Sequence, residues 1–231
     1  MLEVKKLYKQ YGSRFSLQVE NIGFGKSGVV SILGPNGSGK TTFLKILLSL
    51  VIPNDSLILY NNKEIQKDFD FKKDLGYMPQ TAIYPENLRV NEIIEISKTL
   101  KNGTTNYDYE LYEEYRIDKV LETKFSALSQ GTKQKIAAAI VFMFGSKVLI
   151  LDEPTAGLDP YASEILKKKI RKEKDTRLIL FTTHIMNDAA ELSDRIIFLH
   201  EGRISFDREF AEGIQKDSKE IVPEITKYFR S

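Results

Sequence analysis

Between the apolar run VVSIL and the helical pattern FLKILLSL stands the sequence GPNGSGKT, Gly34 to Thr41. The order strand, glycine loop, helix constrains this chain more than any other feature it carries. Gly34, Gly37 and Gly39 are expected to permit positive φ and to keep side chains away, so that successive backbone N–H groups turn inward on an anion. A helix opening at Lys40 adds roughly half a positive charge at the same place. Lys40 then offers a point charge to β- and γ-phosphates, and the Thr41 hydroxyl offers an oxygen to Mg²⁺. A plain glycine turn is the alternative, and the flanks favour the phosphate loop.

Far downstream, KVLILDEPTAGLD sets Asp152 and Glu153 at the end of four consecutive apolar residues, Val148 to Leu151. Such a run is expected of a strand buried on both faces, and its carboxyl end faces the crevice where open α/β sheets bind ligands. Asp152 is then placed to hold Mg²⁺ through its water shell, leaving Glu153 free to polarise an attacking water. Taken alone, Asp-Glu-Pro would read as turn residues closing a strand. A second apolar run, LILFTT, ends beside His184, which we expect at the γ-phosphate; His200 carries no such expectation.

Strand-like runs at 16–22, 28–33, 57–60, 147–151, 177–182 and 195–199 alternate with helical patterns, as in a mainly parallel sheet flanked by helices. The stretch 84–134 breaks this order. It reads as a helical insertion: one helix around Val90–Leu100, a polar loop at 101–109 and a second charged helix. Beyond Gly202 the chain reads as a short strand and charged helical segments.

The chain has no cysteine among its 231 residues, which excludes disulfides, cysteine-ligated metals and cysteine nucleophiles. Its longest unbroken apolar run, Ile136–Phe144, is too short to span a bilayer. Nothing near Met1 resembles a secretion signal, so a cytoplasmic location is expected. A net charge of +2 gives no ground for a nucleic-acid partner.

With GPNGSGKTT, LILDEPTAGLD and TTH in this order, the chain resembles the nucleotide-binding cassette of ABC transporters over nearly its whole length. Tyr11, in KQYGS, matches the family's adenine-stacking aromatic. Gln80, in LGYMPQ, matches the glutamine of the hinge loop that touches Mg²⁺, and Asp159, in AGLDP, the loop crossing the dimer interface. The family's signature, usually LSGGQ, stands here as LSQGT at Leu128–Thr132, keeping Ser129 and Gly131 and changing the third and fifth positions. From the residues themselves, Ser129 is a good N-cap for the helix that follows, and Gly131 lets first-turn amides approach a ligand. Lys133 and Lys135, near a helix start, either await a phosphate or are simply solvated.

The resemblance implies an α/β P-loop NTPase fold with a RecA-like, mainly parallel sheet. A small antiparallel β subdomain joins it over about 1–82 and 145–207, with a helical subdomain over about 83–144 and a helical tail over 208–231. It implies that ATP and Mg²⁺ are bound by Tyr11, Asn36, Gly37, Ser38, Gly39, Lys40, Thr41 and Thr42. Thr41, Gln80 and Asp152 serve the metal, while Glu153, His184, Lys40 and Gln80 serve hydrolysis. A second cassette, identical or homologous, would add Ser129, Gly131 and Asp159 from across a head-to-tail dimer holding two ATP molecules.

The implied activity is ATP hydrolysis that drives a separate membrane-spanning subunit, with the chain peripheral on the inner face of the cell membrane. The surface around Gln80, Ile83 and Tyr84 is the implied docking groove, although its aromatics could equally belong to the helical subdomain's own core. Bacterial type-two exporters are the most similar branch. The competing expectation is a soluble ABC ATPase that remodels a cytosolic assembly such as an iron–sulfur cluster scaffold.

Overall fold

The computed structural model describes residues 1–67, 70–101 and 106–210, and beyond them only positions 223 and 227. Two sheets organise it. Strands β1 (Leu2–Tyr11), β2 (Phe15–Phe24), β4 (Asp55–Tyr60) and β5 (Lys63–Glu64) form an antiparallel sheet in the order β2-β1-β4-β5. The second sheet runs β10-β9-β3-β8-β7-β6, from β3 (Gly28–Leu33), β6 (Leu75–Met78), β7 (Val148–Asp152), β8 (Leu178–Thr183), β9 (Arg195–His200) and β10 (Arg203–Glu209). All its neighbours are parallel except the β9–β10 hairpin.

The central strands are apolar throughout because both of their faces are covered. Val148 and Ile150 of β7 face a core shared with the antiparallel sheet and helix α1 (Lys40–Leu47). Leu149 and Leu151 face a second core, built with α3 (Val90–Leu100), α5 (Gln130–Met143) and α6 (Pro160–Glu173). β8 divides in the same way, Leu178 and Leu180 against Ile179 and Phe181. All eight of these side chains are at most 2% exposed, so the carboxyl ends of β7 and β8 are fixed by packing from both sides.

β1 escaped the strand-like runs read from sequence. Its register shifts between Val4 and Lys6, so the buried residues fall at Leu2, Val4 and Leu7 and not at strict alternation. β6 escaped because it has four residues. The second charged helix of the insertion is short: α4 (Glu110–Glu114) has five residues and gives way to single 3₁₀ turns at Ile117–Val120 and Phe125–Ala127. Arg116, held at φ 51° in the left-handed region, breaks the path between them. The strand after Gly202 runs from Arg203 to Glu209, into the start of the expected 208–231 tail. Its expected helices, and the middle of the loop at 101–109, lie outside the described residues.

Two lysines, Lys101 half-buried and Lys169 buried, tie the insertion to the rest of the fold. Lys101, at the end of α3, donates to the carbonyls of Leu75 (2.6 Å) and Lys73 (3.2 Å). Lys169 of α6, 2% exposed, pairs with Asp108, with Glu110 at 2.7 Å and with Glu173 at 2.8 Å.

Candidate functional site

The phosphate loop leaves β3 and re-enters the fold as α1. Gly39 caps the helix at φ 107° and Gly37 stands at φ 82°, conformations that favour glycine. Gly34 differs from the sequence expectation, because its φ is not positive. It is required for close approach: a Cβ there would lie 2.2 Å from the Leu199 carbonyl oxygen. The hairpin turn between β9 and β10 supports the loop from behind, with Gly202 N–H donating to the Ser38 carbonyl at 3.0 Å.

A cleft of about 430 Å³ opens over the loop. It is lined by Phe15, Asn36, Gly37, Gly39, Lys40, Thr41, Thr42, Gln80 and Glu153. Lys40 is 6% exposed, and its ammonium donates to the carbonyls of Gly34 (2.7 Å) and Pro35 (3.1 Å). Burial lowers its pKa, against the opposing pull of Glu153 and Asp152. Asp152 is buried beneath, its Oδ1 accepting from Thr182 Oγ1 (2.5 Å) and Thr41 Oγ1 (3.3 Å). Hydroxyl, carboxylate and side-chain amide oxygens are the donor set a hard cation such as Mg²⁺ takes, so Thr41, Asp152 and Gln80 fit that ion.

Glu153 is less free than the sequence suggests. It is 6% exposed, its Oε1 stands 3.8 Å from Lys40 Nζ, and its Oε2 lies 2.9 Å from His184 Nδ1. Its backbone is in the left-handed region at φ 49°, which costs a non-glycine residue about 1–2 kcal/mol. The strain turns the chain sharply off β7, and Thr182 secures the start of the turn by accepting from Glu153 N–H at 2.9 Å. Thr182 therefore bridges both carboxylate residues. No sequence signal gives this, because it depends on the register that places Asp152 opposite Thr182.

The structure does not gather every expected residue into this cleft. Tyr11 is 44% exposed, with its ring centroid 6.3 Å from that of Phe15. Phe15, which the sequence reading passed over, is the aromatic that lines the cleft. Ser38 Oγ is buried without a partner, in the wall of an adjoining cleft lined also by Arg14, Phe15 and His200. His200 stacks on Phe198.

Ser129 caps α5 as expected, accepting from Thr132 N–H at 3.2 Å. Gly131 stands against this chain's own Gly157 carbonyl, 3.1 Å from where a Cβ would be. Lys135 is paired with Asp159 at 2.6 Å, and Lys133 lies 4.9 Å over the Phe125 ring, so both lysines already have partners. Asp159 caps α6 through Ala162 N–H (2.9 Å), and its pKa is lowered by the Lys135 hydrogen bond first and that cap second.

Gln80 is tied to α5 through its backbone: its carbonyl accepts from Gln134 Nε2 at 3.1 Å. Gln134, 1% exposed, was given no role from sequence. Of the expected docking pair, Ile83 is 80% exposed, whereas Tyr84 packs edge-on against Phe125 with centroids 5.3 Å apart.

Comparison with known proteins agrees with this arrangement. A family profile described as "ABC transporter" matches residues 17–156. The lantibiotic transport ATP-binding protein SrtF of Streptococcus pyogenes is 30% identical over 211 residues, covering 91% of each chain. The retinal-specific phospholipid-transporting ATPase ABCA4 of Bos taurus is 34% identical over 204 residues, 86% of this chain but 9% of that protein. Human ATP-binding cassette sub-family A member 2 is 35% identical over 214 residues, again with only 8% of its length covered. Among solved structures, an ATP-binding subunit of an ABC transporter superposes with a TM-score of 0.83 at 27% identity, covering 98% of this chain and 99% of its own. The dimeric cassette MJ0796 shares the fold, with a TM-score of 0.81 at 24% identity over 91% of this chain and 99% of that one. The glycine cradle, the paired carboxylates behind it and a family match over more than half the sequence have one reading: the chain belongs to the ABC transporter family, as one of its P-loop ATPase cassettes.

Proposed function

We propose that this chain binds and hydrolyses ATP and thereby energises a separate membrane-spanning transporter subunit. The observation that carries the proposal is the convergence of the phosphate loop, Lys40 and Glu153 on one cleft, with His184 against the Glu153 carboxylate. Lys40 now spends its ammonium on two loop carbonyls. Entry of a triphosphate gives that ammonium and the loop amides an anionic partner, and the α1 N-terminus adds its dipole. Asn36, Gly37, Ser38, Gly39 and Thr42 complete the cradle. Mg²⁺, held by Thr41, Gln80 and Asp152, would offset charge on the β- and γ-phosphate oxygens.

Glu153 accepts the proton of the attacking water, and His184 orients its carboxylate through the 2.9 Å contact. Phe15 offers the apolar wall for the base, with the Tyr11 ring 6.3 Å from it, centroid to centroid. In the dimer we propose, Ser129 and Gly131 of the second copy approach the γ-phosphate from the far side, with Asp159 crossing between the copies. The γ-phosphate thus favours closure and its loss favours reopening.

No helix of the described residues is long and apolar enough to cross a membrane. The similarity to SrtF, named a lantibiotic transport ATP-binding protein and matched almost end to end, supports a transport role; the proposal sets the membrane-spanning part in a separate subunit, with this chain beside it on the inner membrane face. Exposed Ile83 beside Gln80 offers the contact for the membrane subunit.

The test is phosphate release under Mg²⁺-ATP by the purified chain and by Glu153→Gln. The wild type should turn over, and the variant should fall by about 10²–10⁴-fold while retaining ATP affinity. Turnover of the variant near that of the wild type would remove Glu153 from the base role.

A further inference from the structure

Asp188 is a buried carboxylate that the proposed chemistry leaves unused. It lies on helix α7 (Met186–Leu192) at 6% exposure. Its Oδ2 accepts from Thr155 Oγ1 at 2.8 Å, and its Oδ1 pairs with Lys167 Nζ of α6 at 2.9 Å. Burial by itself would lower the Lys167 pKa, but the hydrogen bonds its ammonium donates to Asp188, Glu191 and Glu164 outweigh it and raise it well above the usual lysine range. Lys167 is therefore cationic, and Asp188 has a fixed counter-charge on the side away from the cleft.

The position of Thr155 gives this contact its meaning. Thr155 stands two residues after Glu153, inside the strained turn that the Ala156 N–H to Glu153 carbonyl bond closes at 3.0 Å. Asp188 stands four residues after His184, in the segment whose start is fixed by Ile185 N–H donating to Thr183 Oγ1 at 2.9 Å. The two segments meet twice. Glu153, which lines the cleft, meets His184, and Thr155 meets Asp188, neither of them in the cleft's lining. The second contact fixes the approach of one segment to the other, and Lys167 ties both to the helix that Asp159 caps.

We infer that Asp188 and Thr155 are positioning residues that hold the Glu153 carboxylate and the His184 imidazole in mutual register. The inference rests on the ATPase reading of the site. It concerns geometry, and a displacement on the order of 1 Å at a reacting group can cost about 10²-fold in rate. Neither residue lines the nucleotide cleft, so ATP affinity should be indifferent to them.

Thr155→Val removes the donor and keeps the shape at a half-buried position; Thr155→Ser keeps the donor. With Thr155→Val, kcat should fall about tenfold or more while KM and Kd for ATP stay within about twofold, and Thr155→Ser should restore kcat. A second readout does not depend on turnover: the ¹⁵N ring shifts of His184 should move in Thr155→Val and return in Thr155→Ser. Unmoved His184 shifts would overturn the inference, as would a kcat for Thr155→Val within about twofold of wild type or a loss that Thr155→Ser does not repair. A wild-type chain without turnover would instead contradict the ATPase reading, and the His184 shifts would still decide the positioning role.

Discussion

Gly202 lies far in sequence from every motif, yet the structure makes the phosphate loop depend on it. Its φ is +74°, and a Cβ there would fall 1.8 Å from the Ser16 carbonyl oxygen and 3.1 Å from Leu17 Cα. Adding a methyl group therefore costs twice. The left-handed backbone costs an alanine about 1–2 kcal/mol. In addition the turn must retreat by about 1.2 Å to bring a 1.8 Å approach out to 3.0 Å, the shortest distance real Cβ contacts show.

That retreat breaks Gln18 N–H to the Gly202 carbonyl (2.7 Å) and Gly202 N–H to the Ser38 carbonyl (3.0 Å), each worth about 0.5–1.5 kcal/mol. Gly202→Ala should thus lose about 3 kcal/mol and, at about 3 °C per kcal/mol for a chain this long, lower Tm by about 9 °C. Gly145→Ala is the control. It has φ +59° and open space around the Cβ, so it should show the backbone cost alone, about 1–2 kcal/mol. Because Ser38 belongs to the loop, Gly202→Ala should also weaken ATP binding by about tenfold, or about 1.4 kcal/mol, while Gly145→Ala should not. Thermal melts with titration of a fluorescent ATP analogue measure both. Equal Tm shifts for the two variants, or unchanged ATP affinity in Gly202→Ala, would refute the steric argument.

Lys169→Met should destabilise the chain by about 1–3 kcal/mol in urea titrations, because Asp108 loses its buried cation while Glu173 keeps only Arg177, at 2.6 Å, and Glu110 only Lys172, at 2.8 Å. The acid limb tests the same cluster. Hydrogen bonds from Lys169 and Lys172 lower the Glu110 pKa from 4.5, and Lys169 overcomes the opposing effect of burial to lower that of Asp108 from 3.8. Both carboxylates then stabilise the fold above those values and lose that contribution as pH falls through their lower folded-state values, so wild-type stability should drop below about pH 4 and the Lys169→Met profile should be flatter. Phe15→Ala should weaken ATP binding by about tenfold by calorimetry, since base–aromatic contact is worth about 1–3 kcal/mol; unchanged affinity would leave the base to Tyr11 alone.

The phosphate loop was legible because its residues are consecutive and each has a local reason. The same holds for Ser129, whose capping role needs only its own helix. The double burial of β7 was legible from four apolar residues in a row. What stayed hidden depends on partners distant in sequence. Gly34 was assigned to backbone freedom, but only the passage of Leu199 shows that space is what it provides. Thr182 and Gln134 read as ordinary polar residues until register and packing bring them to Asp152 and to the Gln80 carbonyl. Lys133 and Lys135 could be read from sequence as awaiting a phosphate, and the fold instead supplies Phe125 and Asp159. β1 was obscured by one bulge, which moves a buried leucine out of alternation.

In the proposed dimer, ATP joins two copies of this chain through the loop of one and the Ser129 helix of the other. Light scattering of Glu153→Gln, with and without Mg²⁺-ATP, tests it directly. The nucleotide-free protein should weigh 26.4 kDa and the nucleotide-bound protein about twice that, with Lys40→Ala remaining a monomer in both. A nucleotide-saturated Glu153→Gln chain that keeps its monomer mass would contradict the account.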